Sequence, residues 1–224
     1  MANHAYVSIW CKDYSEETLL DRWGNFLASL PVSATKPGFA ELVIRAVSPA
    51  ESPIYEQDLR SQALAPIELL ELAANHVHAD CSYETAAFWD LWTLAPNAAR
   101  WQLQPQRIEL FCNGEEFDDG IWRELGHLHA DIGFEHFFTG HARLLGSHNP
   151  PFAPPQHPDE EAFIAMMAKP ENLRLYHEKT RENIRKLFQW MQQVESILPV
   201  QQSRFWSEGE ENFEARMEEI LAVR

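Results

Sequence analysis

The sequence predicts an α+β or α/β protein, in which a mixed β-sheet with helices is followed by a helical C-terminal extension. In the first two thirds of the chain, apolar runs with a period of two alternate with stripes at helical spacing. After five prolines between Pro150 and Pro158, only helical spacing continues. We therefore expect an α/β sheet domain over 1–148, a proline-rich connector over 149–158 and a helical extension over 159–224.

The first predicted elements are a strand over 6–11 and a helix after it. Asp13 or Ser15 can cap this helix, because a side-chain oxygen at that position accepts one of the free N–H groups of the first turn. Pro31 ends the helix, since proline has no N–H to donate. Apolar residues recur at helical spacing between these points: Leu19, Leu20, Trp23, Phe26, Leu27 and Leu30.

Gly38 precedes a second predicted strand, whose two faces differ in polarity. Glu41 and Arg45 fall on one face. The other face is apolar and consists of Ala40, Leu42, Ile44 and Ala46. Pro66 then begins a helix, because its fixed φ suits the first helical position. Two further strands are predicted over 83–94 and 108–112.

Two short echoes suggest a duplicated strand–helix–strand unit. The segment 108–112 repeats the apolar alternation of 7–11, and the pair Gly133-Phe134 repeats Gly38-Phe39. Chance provides an alternative explanation, because alternating apolar strands resemble one another.

The last third is predicted to be helical. Pro170 begins a long helix to Ile197 with an apolar seam at alternating steps of four and three: Thr180, Ile184, Leu187, Met191, Val194 and Leu198. A last helix is expected after Ser207, which with Glu210 has the spacing of a capping box. The seam is too apolar to face water, so it covers the sheet of the first domain or pairs two chains as a homodimer.

The charge balance restricts the class of partner. The chain has 34 acidic and 18 basic residues, which gives a net charge of −16. Binding to phosphate backbones needs clustered lysine and arginine, so nucleic acid and anionic membranes are excluded as partners. A field of this sign attracts a basic, amphipathic or small cationic partner instead.

The N-terminus and the cysteines predict a cytoplasmic protein. Residues 1–6 have neither a basic segment nor an apolar one, and no apolar stretch reaches the roughly 20 residues that a membrane span needs. The three cysteines, Cys11, Cys81 and Cys112, are odd in number and lack a C-x-x-C spacing. We expect them to be reduced, buried thiols.

The pentad His-x-His-Ala-Asp occurs twice, at 76–80 and at 127–131. On a helix the two histidines of a pentad point about 200° apart and do not share an ion, whereas on a strand they lie about 6.6 Å apart on one face. The first pentad ends a predicted helix, where His76 and His78 interact favourably with the helix dipole and need no metal.

The second pentad is predicted to lie on a strand, although a helical stripe also fits it. Three nearby glycines disfavour a helix. His127, His129 and Asp131 then share one polar face and are candidate ligands for a divalent transition metal. This spacing resembles part of the motif of metallo-β-lactamase-fold hydrolases, but Ile132 stands where that family continues with histidine. A solvated face of an antiparallel sheet is the alternative.

These observations predict a non-catalytic binding or interaction module as the function. The acidic charge and the absence of common catalytic motifs favour it. The alternative is a metal-dependent hydrolase that uses His127, His129 and Asp131. In that enzyme the ion lowers the pKa of a bound water, and Glu135 or Asp131 acts as the base.

Overall fold

The computed structural model describes residues 3–95, 100–140 and 158–222. Seven strands form one sheet in the order β3-β2-β4-β5-β6-β1-β7, and every pair among the described strands is antiparallel. The strands are β1 (His4–Cys11), β2 (Phe39–Ala46), β3 (Tyr55–Asp58), β4 (Cys81–Ala95), β5 (Arg100–Asn113), β6 (Leu128–Phe134) and β7 (Val200–Ser207). The predicted α+β fold class is therefore confirmed, with antiparallel pairing throughout the described strands.

Helices and one-turn segments connect the strands. The α-helices are α1 (Glu16–Ser29), α2 (Pro66–Ala73), α3 (Trp122–Leu125), α4 (His136–Thr139), α5 (Pro158–Met167), α6 (Pro170–Ile197) and α7 (Phe213–Ala222). Two 3₁₀ turns lie at Ala74–His76 and Phe117–Asp119. Helices α1, α2, α6 and α7 contribute side chains to the same hydrophobic core as one face of the sheet.

Apolar residues at alternate positions of the strands form the part of this core that the sheet contributes. Residues two apart point to the same face, so apolar positions in period two form a continuous surface. The fully buried residues of this face include Val7, Ile9, Leu42, Ile44, Tyr83, Leu110 and Leu128. The prediction of an apolar face on β2 is thereby confirmed at Leu42 and Ile44.

The apolar seam of α6 is buried within the chain. Leu187 is 0% exposed, and Trp190 stacks on Phe26 of α1 with ring centroids 5.5 Å apart. The indole Nε1–H of Trp190 donates to Ser29 Oγ at 2.9 Å, which satisfies its polar atom in the core. The long helix therefore covers the sheet of its own chain, and a homodimer through it stays a prediction.

The prediction of a purely helical C-terminal third is wrong. Residues Val200–Ser207 form β7, an edge strand that pairs with β1. Ser207 Oγ accepts from Glu210 N–H at 3.0 Å, but the helix begins only at Phe213, so this pair closes a turn. The proline-rich connector lies almost wholly outside the described residues, and only Pro158 falls inside, as the first residue of α5.

The two glycine echoes occupy different positions. Gly38 directly precedes β2, whereas Gly133 lies near the end of β6. Both have positive φ, at 79° and 94°, which explains why glycine occurs at each. The repeated unit therefore has no support from this pair.

Among the described residues, no helix combines the length and the apolar character that crossing a bilayer requires. The three cysteines are unpaired and buried, as predicted. Burial raises the pKa of the Cys11 thiol to about 11 and that of Cys81 to about 12. Both groups are therefore protonated thiols near neutral pH and poor nucleophiles.

Asn183 of α6 replaces a missing strand at the outer edge of β4. Strand β2 pairs with β4 only as far as Ala87. Further along that edge, the backbone N–H of Trp92 donates to Asn183 Oδ1 at 2.8 Å. Asn183 Nδ2 donates to the carbonyl oxygens of Trp92 and Phe137, both at 3.1 Å. One buried amide thus joins the long helix to the sheet and to α4.

Asn183→Ala is expected to lower the free energy of unfolding by about 2–3 kcal/mol, because it leaves buried backbone groups without partners. Gln189→Ala is the matched control, since Gln189 is exposed on the same helix. We expect the control to change stability by less than about 0.5 kcal/mol. Urea denaturation measures both, and equal effects would contradict the bridging role of Asn183.

Candidate functional site

The face of the sheet that turns away from the core carries most of the polar and aromatic side chains of the strands. We call this surface the open face. Its side chains form rows that run straight across the strands, because directly paired residues point to the same side. The first row is Asp58, Glu41, Ala86, Glu109, Asp131, Tyr6 and Trp206. The second row is Glu56, Val43, Glu84, Phe111, His129, Ser8 and Arg204.

One half of the open face is acidic. The two rows together hold six carboxylates and one arginine. Two like-charged pairs stand directly opposite each other on neighbouring strands, Glu41 with Asp58 and Glu109 with Asp131. Like charges in such positions destabilise a sheet unless a neighbouring cation compensates them.

Arginines, together with His4 beside Asp131, compensate part of this charge. Arg107 bridges Glu41 and Glu109, and Arg45 Nε lies 3.0 Å from Glu84 Oε1. Burial raises the pKa of Glu84 despite this arginine. The ion pairs are at least partly exposed, so each stabilises little and can exchange partners with an incoming cation.

The other half of the open face is aromatic. The rings of Tyr6, Trp206 and His129 form one cluster of near-parallel rings, with centroids 4.2 Å apart for Tyr6 and Trp206, 5.5 Å for Tyr6 and His129, and 6.0 Å for His129 and Trp206. Phe111 lies 5.7 Å from His129 on the other side. These rings come from four neighbouring strands, and Tyr6, Phe111 and Trp206 remain half-buried. They form an aromatic cluster beside the acidic half.

A buried hydroxyl joins His129 to Trp206. Trp206 Nε1–H donates to Ser8 Oγ at 3.0 Å, and the Ser8 hydroxyl lies 3.3 Å from His129 Nδ1. The Ser8 hydroxyl has one proton and two lone pairs, so it can accept from the indole and still either donate to Nδ1 or accept from it. Burial lowers the pKa of His129 to about 4, while the carbonyls of Leu125 and Val7 act in the opposite direction.

His127 lies at the end of the open face, next to a cavity. Its ring is stacked between Tyr14, 4.1 Å away, and Trp122 of α3, 4.4 Å away. Its Nδ1 accepts from the backbone N–H of Cys11 at 3.0 Å, beyond the last residue pair of β1 and β6. Burial lowers the pKa of His127 to about 4, so the ring is neutral with its proton on Nε2.

The structure confirms the strand over the second pentad but gives its three candidate ligands separate partners. Asp131 is paired with His4, whose Nδ1 lies 2.7 and 3.0 Å from the two carboxylate oxygens. Burial raises the pKa of Asp131 against the effect of this histidine. Within 3–95, 100–140 and 158–222, no group of three or more His, Cys, Asp or Glu residues is arranged to hold a metal. A transition metal at His127, His129 and Asp131 stays a prediction.

The first pentad lies largely outside a helix. Its first histidine, His76, ends the 3₁₀ turn that follows α2, and His78 lies in the loop beyond. His78 Nδ1 is 2.7 Å from Asp80 Oδ1, so the pair closes the loop locally.

The cavity beside His127 has a volume of about 320 Å³. It lies between the loops that follow β1 and β5 and the start of β7. Three aromatic rings, two carboxylates and two amides line it together with His127 and Cys11: Trp10, Tyr14, Trp122, Asp13, Glu115, Gln201 and Gln202.

Sequence reasoning identified the histidines but missed the acidic rows and Trp206. The rows arise from strand register, which places Glu41, Glu109 and Asp131 together although they lie far apart in the chain. Trp206 was missed because β7 was assigned to a helical region. The available signal was the placement of Glu41 and Arg45 on the polar face of β2.

No protein-family model, curated protein or solved structure matches this chain.

Proposed function

We propose that this protein is a non-catalytic binding module whose open face docks a basic segment of a partner protein. The observation that carries the proposal is the pair of opposed carboxylates, Glu41 with Asp58 and Glu109 with Asp131. In the free protein Arg107 lies against Glu41 and Glu109, Arg60 pairs with Asp58, and His4 hydrogen-bonds to Asp131. These ion pairs are partly exposed and weak, so a basic segment exchanges with them at little cost.

The aromatic half supplies the rest of the contact. Lysine and arginine side chains stack on indole and phenol rings, and this attraction adds to the charge complementarity. In the free protein, Arg204 already lies over the Trp206 ring at 5.5 Å, which indicates that this ring accepts a cation. Tyr6, Phe111 and Trp206 thus provide contact area for the apolar stems of basic side chains.

The width of the face sets the length of the docked segment. Seven strands at about 4.8 Å spacing span about 29 Å, which an extended chain of about nine residues crosses. An N-acetylated peptide of that length with alternating lysine and serine is the probe, so that only its side chains supply positive charge. A peptide with alternating glutamate and serine is its counterpart of opposite charge.

The basic peptide is expected to bind the wild type at low ionic strength, and the acidic peptide is not. Glu41→Gln combined with Glu109→Gln should weaken binding about three- to tenfold, because two exposed charges are removed. The matched control is Glu171→Gln combined with Glu178→Gln, which makes the same charge change at exposed positions on α6. Isothermal titration calorimetry measures all three proteins.

If both pairs of substitutions weaken peptide binding equally, the weakening comes from the net charge alone. That result would contradict a site on the open face. Sedimentation of the protein without peptide tests whether a second copy of the chain occupies the open face. If the wild type is a dimer that Glu41→Gln with Glu109→Gln dissociates or tightens, the occupant is a second copy, and the proposal is wrong.

A metal-dependent hydrolase at His127, His129 and Asp131 remains the alternative from the sequence. No observation in the described residues favours it over the binding module.

A further inference from the structure

We propose that the cavity beside His127 binds a protonated amine that carries a carbonyl oxygen on the neighbouring carbon, as at a peptide N-terminus. The proposal goes beyond the docking of a basic segment, because it requires no occupant on the open face.

The first support is the charge of the lining. Asp13 and Glu115 both line the cavity, and no lysine or arginine does. The two carboxylates come from different loops, one after β1 and one after β5. Among the described residues neither carboxylate forms an ion pair, so both are available to an ammonium group.

The second support is a single fixed hydrogen-bond donor. The Cys11 N–H occupies Nδ1 of His127, so the proton of the neutral ring is on Nε2. Within the part of the chain that the structure describes, this Nε2–H has no protein acceptor. His127 is 5% exposed, and the rings of Tyr14 and Trp122 on its two faces hold the plane of its ring in place.

Together these groups specify a complementary ligand. The carboxylates require a donor that carries positive charge, and the Nε2–H requires an acceptor. A plain alkylammonium offers only the first, and a neutral amide offers only the second. An ammonium with an adjacent carbonyl satisfies both within a few ångströms, which is the pattern that N-terminal amine capture uses.

Two aromatic rings of the cavity already contact arginines. Arg204 lies over the Trp10 ring at 5.6 Å, and Arg123 lies over the Trp122 ring at 5.3 Å. Neither arginine lines the cavity, and each donates to a backbone carbonyl, Arg204 to that of Glu124 and Arg123 to that of Asp119. These ring faces are therefore already occupied, and the rings offer the ligand apolar contact while the two carboxylates attract its ammonium group.

Three small probes separate the contribution of the ammonium group from that of the carbonyl group. Alaninamide has both the ammonium and the carbonyl, isopropylammonium lacks the carbonyl, and N-acetylalaninamide lacks the ammonium. With six heavy atoms, alaninamide is expected to bind with a Kd on the order of 1 mM. Each of the other two should bind at least about fivefold more weakly. The indole signals of Trp10 and Trp122 in NMR titrations measure binding.

The variants Glu115→Gln and Asp13→Asn should each weaken alaninamide binding about threefold or more. Glu116→Gln is the matched control, because Glu116 is the neighbouring exposed carboxylate and does not line the cavity. His127→Phe should remove the preference for alaninamide over isopropylammonium. If that variant does not fold, a ligand-induced shift of the wild-type His127 Nε2 resonance gives the same information.

A separate titration distinguishes peptide N-termini from small amines as the source of the ligand. A tripeptide amide with a free N-terminus that binds as well as alaninamide identifies peptide N-termini as ligands, and binding of alaninamide alone identifies small amines. No saturable shift of the Trp10 and Trp122 signals at about 20 mM alaninamide would overturn the proposal. Equal binding of all three probes would overturn it too. Either result leaves docking on the open face unaffected.

Discussion

Leu187→Asp is expected to destabilise the protein by about 5 kcal/mol, enough to unfold most domains of this size at room temperature. Leu187 is 0% exposed in the centre of α6, where it belongs to the common core. The substitution removes the burial of a leucine and places an unpaired carboxylate in an apolar environment.

Leu175→Asp is the matched control, because Leu175 lies on the same helix and is 37% exposed. We expect it to lower stability by less than about 1 kcal/mol. Circular dichroism during thermal unfolding compares the variants, and sedimentation gives their mass. If Leu187→Asp kept the wild-type melting temperature, the packing of α6 on the sheet would be wrong.

Lowering the pH from about 7.5 to 5 is expected to cost about 4 kcal/mol of stability through His127 and His129. Each ring has a folded-state pKa of about 4, against about 6.5 in the unfolded chain. Below pH 6.5 the unfolded chain takes up protons that the folded protein does not, so stability is lost as the pH falls towards 4. Each histidine contributes about 2 kcal/mol to this difference.

As the pH falls, the raised pKa values of two carboxyl groups change stability in the opposite direction to the histidines. The test therefore compares the wild type with a variant that lacks both histidines. Burial raises the pKa of Asp131 and of Glu84, and these groups take up protons first in the folded state. Urea denaturation at several pH values should give His127→Gln with His129→Gln a much flatter profile than the wild type. Parallel profiles would contradict the assignment of neutral, buried rings.

Local patterns predicted most elements, because they depend on neighbours in the chain. The apolar period gave β1, β2 and α1, and the strand over the second pentad followed from alternation and three glycines. Strand β7 was missed, since Gln201 and Gln202 interrupt the alternation and a long helix precedes it.

The candidate site was predictable only in part. The sequence placed His127, His129 and Asp131 on one face, but it could not give their partners, because Cys11, Ser8 and His4 reach them through the pairing of β1 with β6. The acidic rows likewise depend on the order and register of six strand pairs, which no local pattern determines.

The indole N–H signals of the tryptophans test the central claim most directly, in an NMR titration with the lysine–serine peptide. Docking on the open face should shift the signal of Trp206, whose Nε1–H bonds to Ser8, and that of Trp10. The buried indoles on the core side serve as internal controls and should stay in place: Trp23, Trp89 and Trp190. Saturable shifts confined to Trp206, Trp10 and the neighbouring Trp122 are the result we predict. Shifts at Trp92 beside α6, with Trp206 unchanged, would contradict a docking site on the open face.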